Sequence, residues 1–266
     1  MSRDGRRAPT AGFYNAADED RYGRTDLPEE VQALRRLLAR HGIGAEELVV
    51  DLGCGKGPLR GLGPRYLGLD LSHYALSRFR GAQWSVQADA QEVPVRSGAA
   101  AVVVSTATLE HLPAPERCLA EIDRILRPGG LAYLAPAWFC RPWAGRGVAV
   151  KPYAALPLRD RITKALLPIL DHTVIRALWI IPVRMLREIR LRLRRGPLPL
   201  AYRPLEANLS EYLCADSDAS AAIDPHAVIA YFLSRGYDVP SAPSLRDRVL
   251  CGYAPVVVRK GTRTRP

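Results

Sequence analysis

The apolar residues in the first half of the chain fall into short unbroken runs. Val49-Val50, Tyr66-Leu67-Gly68-Leu69 and Ala101-Val102-Val103-Val104 are each bounded by Gly, Pro, Asp or Ser, as expected of strands covered on both faces in a parallel sheet. Val86 to Ala90 is a mixed stretch between the second and fourth strands, and Leu131-Ala132-Tyr133-Leu134 supplies a fifth strand. Helical spacing separates them. Val31, Leu34, Leu37 and Leu38 share one face of a helix predicted over 27–41, with Pro28 suited to its first turn and Gly42 to its end. A second helix is predicted over Leu119 to Pro128, halted by the turn Arg127-Pro128-Gly129-Gly130. Strands alternating with helices predict an α/β fold, a doubly wound and mostly parallel sheet. Only a stunted helix fits between Gly57 and Asp70, because Pro58, Gly61, Gly63 and Pro64 interrupt that stretch. Near the C-terminus, Asp218 and Asp224 read as helix caps, Pro225 to Arg235 as a helix stopped by Gly236, and Tyr237–Val239 and Tyr253–Val258 as the last two strands.

The candidate chemistry begins where the first strand ends, at Asp51-Leu52-Gly53-Cys54-Gly55-Lys56-Gly57. Glycines at this spacing let the backbone turn tightly and admit a ligand where a Cβ would clash. A dinucleotide fingerprint needs glycine at the first, third and sixth positions, and the sixth here is Pro58. Taken alone, the turn fits equally a loop that binds nothing. Asp70 closes the second strand 19 positions after Asp51, a spacing suited to accepting hydrogen bonds from ribose hydroxyls, although a surface carboxylate or a helix cap would read the same. Asp89 follows the third strand, where a turn-forming Asp is the plain alternative.

The pattern Asp-x-Gly-x-Gly-x-Gly resembles the first motif of class I S-adenosylmethionine-dependent methyltransferases, and three further stretches extend the resemblance over residues 49–137. It implies a seven-stranded Rossmann-like sheet with an antiparallel last strand, a helical insertion between strands 5 and 6, and S-adenosylmethionine as cofactor. It assigns cofactor contacts to Asp51, Gly53, Cys54, Gly55 and Gly57, to Asp70 and Leu71, to Asp89 for the adenine amine and Ala90 for a backbone amide, and to Ser105 beyond the fourth strand. It also implies an N-terminal arm over the cofactor, making Tyr14 or Tyr22 a lid residue unless each is simply packed on the surface. One departure stands out: the family's Phe-Asp pair before the fourth strand is Ala100-Ala101.

Charge changes this picture in one place. The net charge of +11 is confined to residues 141–203, which hold 14 Lys or Arg and 3 Asp or Glu, while the remainder carries 24 of each sign. The chain therefore divides into a tail and possible lid (1–26), a cofactor-binding core (27–137), a basic helical insertion (138–222), a C-terminal helix with the last two strands (223–260) and a short tail (261–266). Within the insertion, helices are predicted over 158–171 and 173–195. The second sets Arg176, Arg187, Arg190 and Arg194 on one face and Leu178, Met185, Leu186, Ile189 and Leu193 on the other, with a kink at Pro182. Such a segment could pack with its Arg face in water, lie on an anionic membrane, or grip a phosphate-bearing substrate. Its longest uncharged run, Ala177 to Val183, is too short to span a membrane. The aromatic cluster of Trp138, Phe139 and Trp143 fits a substrate wall or a small core equally.

Five scattered cysteines without a C-x-x-C pair suggest neither a disulfide framework nor a zinc site, and with no apolar stretch in the Arg-rich N-terminus they predict a reduced, cytoplasmic setting. Asp216, Asp218, Asp224 and His226 carry metal-binding groups, but capping explains them better and no metal is expected. His111, just past the fourth strand, is the best-placed general base, with His226 and His172 behind it. Ser105-Thr106-Ala107-Thr108 lacks the signature of base-amino methylases, so nucleic acid is disfavoured. The reading is O- or N-methylation of a small molecule, sugar-containing or a natural product. Its alternative is a non-catalytic module that binds a membrane or polyanion through the basic insertion.

Overall fold

The computed structural model describes residues 12–16, 27–81, 83–193 and 196–262. Tyr22, Arg194 and most of the two terminal tails proposed from sequence lie outside them. The chain divides into two units: one holds the residues up to Leu109, Ala114–Pro136 and the stretch from Val257 on, the other Glu110–Pro113 and Ala137–Val256.

In the first unit six strands form one sheet: β1 (Val49–Leu52), β2 (Tyr66–Asp70), β3 (Trp84–Gln87), β4 (Ala100–Thr106), β5 (Leu126–Ala135) and β8 (Val256–Arg259), in the order β3-β2-β1-β4-β5-β8. The pairs β1/β2, β1/β4, β2/β3 and β4/β5 are all parallel. β1 and β4 are buried along nearly their whole length, which is why they read as unbroken apolar runs. β3 is an edge, with Trp84 and Val86 exposed. Strand order reverses at β1, and the carboxyl end of the strand at such a switch point is where open α/β sheets bind ligands.

Helix α1 (Pro28–Arg40) buries Val31, Leu34 and Leu38. These join Val49, Tyr66, Val102, Val104 and Leu131 in one core cluster. The connection from β1 to β2 contains only a single 3₁₀ turn, Arg60–Leu62, as the prolines and glycines there require. A five-residue helix α2 (His73–Ser77) follows β2.

Two expectations are corrected here. Helix α3 (Pro115–Ile125) ends before the Arg-Pro-Gly-Gly segment, which belongs to β5 and not to a turn. The extra residues are absorbed as an irregularity: Ala100 pairs with Leu126 but Val102 with Leu131, and Gly129 adopts φ +76°. The seventh strand is also missing among the described residues, because Tyr237–Val239 contains only an isolated bridge at Asp238. β8 is nevertheless tied to β5 beyond its end, through Gly129 N–H to Lys260 O and Lys260 N–H to Gly130 O.

The second unit holds α4 (Leu158–Leu170), α5 (Thr173–Leu193), the antiparallel ribbon β6 (Tyr202–Pro204) and β7 (Ala221–Ile223), α6 (Pro225–Leu233) and α7 (Leu245–Val249). Asp224 caps α6 by accepting from the His226 N–H at 3.0 Å. α5 runs through Pro182. Of the three readings left open for this helix, the one that keeps its arginines in water and its leucines inside is reversed at its centre. Arg184 and Glu188 are buried, whereas Leu178, Trp179, Leu186 and Leu193 are exposed. Charged partners on neighbouring elements cause this inversion. Arg184 pairs with Asp224 at 2.8 Å and donates to the Val249 and Cys251 carbonyls, and Arg248 of α7 grips Glu188 at 2.8 and 3.0 Å.

Candidate functional site

In the first unit the glycine turn closes directly onto the end of β2. Gly53 and Cys54 N–H both donate to Leu69 O, and Gly55 N–H donates to Asp70 Oδ2 at 2.8 Å. Ser72 N–H takes the other oxygen of Asp70 at 2.8 Å. Burial pushes the Asp70 carboxyl up, and these backbone donors hold it down. Asp70 is therefore fixed in orientation by the two segments that flank the carboxyl ends of β1 and β2. A carboxylate has about four lone-pair sites, so acceptor capacity remains for a ligand hydroxyl.

Asp51, buried on β1, accepts from the Tyr66 hydroxyl through Oδ2, while its Oδ1 is buried with no hydrogen-bond partner among the described residues. An orphaned buried acceptor at a strand's carboxyl end is a vacancy for a donor. Burial raises the Asp51 carboxyl to about 7; the Tyr66 hydrogen bond opposes that rise and the charge of Asp70 adds to it.

The three glycines at φ +76°, +53° and +76° occupy backbone conformations that L side chains rarely adopt. Two are also packed tightly. A Cβ on Gly53 would lie 2.1 Å from Thr108 Oγ1, and one on Gly57 2.3 Å from the Phe79 ring. Thr108 Oγ1 donates to Thr106 O and Leu52 O, so it clamps the strand end from which the turn departs. Cys54 is buried and its thiol is pushed far up by burial and then by Asp51, which leaves it a packing residue rather than a nucleophile.

Asp89 accepts from Gln91 N–H at 2.8 Å and from the Gln91 side chain, the geometry of a turn-forming Asp, and Ala90 beside it is buried. Ser105 donates its hydroxyl to Leu52 O at 3.2 Å and is buried, tying β4 to β1. Leu71 is half-buried, and its carbonyl accepts from Gln87. Tyr14 belongs to a helical turn at 12–16 that docks next to Asp70: Ser72 Oγ donates to Tyr14 O at 3.0 Å and His73 N–H to Asn15 Oδ1 at 2.7 Å. A groove of about 380 Å³ lined by Leu27, Val31, Pro58, Arg60 and Gly61 includes none of the three acids.

The second unit contains a separate polar cluster. His111 Nδ1 lies 3.3 Å from Asp218 Oδ2, and His111 Nε2 lies 3.9 Å from Glu110 Oε1. Glu110 is fully buried; Oε1 accepts from Ala137 N–H at 2.8 Å, and Oε2 has no partner among the described residues. Burial raises the Glu110 carboxyl, and His111 draws it back. Asp216, held at φ +59°, is raised by burial, lowered by His111 and raised again by Asp218. Asp218 is thus a partner of His111 and not a helix cap. Among the described residues no group of three or more metal-binding side chains converges.

The other sequence candidates are placed as follows. His226 is fully buried between Arg187 at 3.0 Å and Glu188 at 3.2 Å, and burial, then Arg187, pushes it down to about 4. It is a neutral structural residue at physiological pH. His172 is exposed. Trp138 is buried and its indole N–H donates to Ala254 O, whereas Phe139 and Tyr253 meet edge to face. Sequence reading passed over Glu110, Thr108 and Tyr66. For Glu110 there was a signal, a carboxylate directly beside His111; for Thr108 and Tyr66 the role exists only once β1, β2 and β4 are side by side.

Residues 50–134 match the family model described as a methyltransferase domain. That stretch is similar to a methyltransferase domain, and it contains the glycine turn and the three acids described above. The chain is similar to mouse tRNA (carboxymethyluridine(34)-5-O)-methyltransferase ALKBH8, 37% identical over 93 residues that cover 33% of this chain and 14% of that protein. It is also similar to a ubiquinone biosynthesis O-methyltransferase of Nitrosococcus oceani, 27% identical over 129 residues, 44% of this chain and 55% of that enzyme. The chain thus spans only part of the length of either relative. Among solved structures, S-adenosylmethionine-bound CalS10, an amino pentose methyltransferase of Micromonospora echinaspora, aligns with TM-score 0.38 and 21% identity over 42% of this chain and 51% of that one.

Proposed function

We propose that the chain transfers a methyl group from S-adenosylmethionine to an oxygen or nitrogen of a small-molecule acceptor, sugar-containing or a natural product. The observation that carries this reading is the pairing of a backbone-fixed Asp70 with an orphaned Asp51 oxygen at the switch point of the sheet. When bound, the cofactor supplies a methyl group already activated by a sulfonium leaving group. The protein's work is then positioning. Asp70 would accept from the ribose hydroxyls, Asp51 from a donor of the amino-acid portion, and Asp89 with the Ala90 amide would hold adenine. The similarity to an enzyme named for ubiquinone O-methylation supports a hydroxyl acceptor.

A hydroxyl must lose its proton as the new bond forms, so a base is required. His111 takes that role in this reading. Asp218 at its Nδ1 fixes the ring and stabilises the imidazolium that results, leaving Nε2 to accept the proton. Isothermal titration of the full chain with S-adenosylhomocysteine tests the cofactor: micromolar or tighter binding is expected, and no heat with either it or S-adenosylmethionine would remove the reading.

A further inference from the structure

We propose that α4 and α5 form a docking face for an anionic lipid bilayer, entering its headgroup region without crossing it. On α5, Val174, Leu178, Trp179, Val183, Met185, Leu186, Ile189 and Leu193 are all exposed, from 41% for Met185 to 79% for Leu193. At 100° per residue they fill one sector of roughly 180°. α4 repeats the arrangement with Leu158, Ile162, Leu166 and Ile169, at the i, i+4 and i, i+3 spacings of one face. Apolar exposure on this scale is what a folded chain normally avoids unless something covers it.

The polar sides of the helices are already committed inward. Arg184 and Glu188 of α5 are locked to Asp224 and Arg248, and Asp160 of α4 to Arg146. Rotating either helix to bury its leucines would break these buried ion pairs. The apolar sector therefore stays outside as part of the fold.

Charge identifies the occupant. Arg190 and Arg192 are exposed and fall at the two edges of the α5 sector, and Arg159 and Arg161 are exposed on α4. Every acid on the two helices or between them is paired with an arginine from elsewhere: Asp160 with Arg146, Asp171 with Arg141, Glu188 with Arg248. What faces outward is apolar in the middle and cationic at the rim, the complement of acyl chains beneath anionic headgroups. A polyanion such as RNA would leave the leucines uncovered. A two-fold dimer through the same face would set the rim arginines against their own copies.

The docking is interfacial. No single helix among the described residues is long and apolar enough to cross a membrane, and the two helices meet at a bend of 85°. Arg184, Arg187 and Glu188 at the middle of α5, held by partners on the protein side, keep the helix lying along the surface.

Flotation of the full chain with phosphatidylcholine vesicles, with and without phosphatidylglycerol, tests this independently of any cofactor. The chain should float only with the anionic vesicles. Binding should weaken by at least about tenfold both in Leu178→Ser/Trp179→Ser/Leu186→Ser and in Arg190→Glu/Arg192→Glu. Brominated lipid should quench the tryptophan emission of the parent more than that of Trp179→Phe. The substituted positions are exposed, so thermal unfolding should be unchanged, which separates lost docking from lost folding. The proposal is overturned by absence of anionic vesicle binding, by binding unchanged in both variants, by a concentration-dependent dimer that the serine variant dissolves, or by bound protein that resists alkaline carbonate as a spanning segment would.

Discussion

The amide of Gly55 donates to the carboxylate of Asp70 at 2.8 Å, joining the turn after β1 to the end of β2. Because Ser72 holds the second oxygen, the acid is oriented before any ligand arrives. Preorganisation of this kind puts the ordering cost into folding and not into binding. Asp70→Ala should therefore weaken S-adenosylhomocysteine binding by at least tenfold, since two charge-assisted hydrogen bonds are worth about 1.5–3 kcal/mol each. Asp70→Asn, which retains one acceptor oxygen, should lose less. Titration calorimetry on the three proteins checks the order.

Gly53→Ala should unfold at a lower temperature than the parent, by about 2 kcal/mol or more, because φ +76° and the Thr108 hydroxyl 2.1 Å away both oppose a methyl group. Adding Thr108→Ser should recover only a small part of the loss: it removes the Cγ2 contact at 2.7 Å and leaves both the hydroxyl contact and the backbone strain. A scan of thermal unfolding for the single and double variants decides this.

Cofactor affinity should depend on pH through Asp51. Its folded-state carboxyl titrates near 7, above the ordinary 3.8, so between those values the folded protein holds a proton that the unfolded chain has released. Stability from this group is then greatest at low pH and declines as pH rises toward 7. A ligand donor to the orphaned Oδ1 favours the ionised form, so binding should tighten from pH 6 to 8 and release protons. Asp51→Asn should flatten both trends, and calorimetry in buffers of different ionisation enthalpy reads the proton count.

His111→Ala should lower kcat by about 10²–10⁴ for a hydroxyl acceptor while cofactor binding changes little. Asp218→Asn should give a smaller loss with the same pattern, since it disturbs the orientation of the ring and leaves the ring itself. A drop in S-adenosylhomocysteine affinity equal to the drop in kcat would show that the effect is structural.

Arg184→Met should destabilise the chain by about 3–5 kcal/mol, because Asp224 and two carbonyls lose a buried partner at once. Arg184→Met with Asp224→Ala should cost less than the sum of the two changes, and urea unfolding of the double-mutant cycle measures the difference.

The sequence by itself determined the parallel sheet, its first helix and the place of the glycine turn. Each is a local consequence: a strand covered on both faces must be apolar throughout, and a backbone at positive φ selects glycine. Asp51 and Asp70 were legible as acids that end apolar runs, although nothing local separates a ligand-facing acid from a surface carboxylate or a cap. Tertiary structure alone decided the rest. That Thr108 packs on Gly53, that Asp218 serves His111, and that the Arg-Pro-Gly-Gly segment lies within a strand depend on residues distant in sequence. The orientation of α5 makes the point most sharply. Its periodicity marks two faces but not which one is inside, and the answer came from Asp224 and Arg248, 40 and 60 positions away from the Arg184 and Glu188 they bind. Buried ion pairs outrank apolar burial on that helix because a charge left unpaired inside costs more than a leucine left in water.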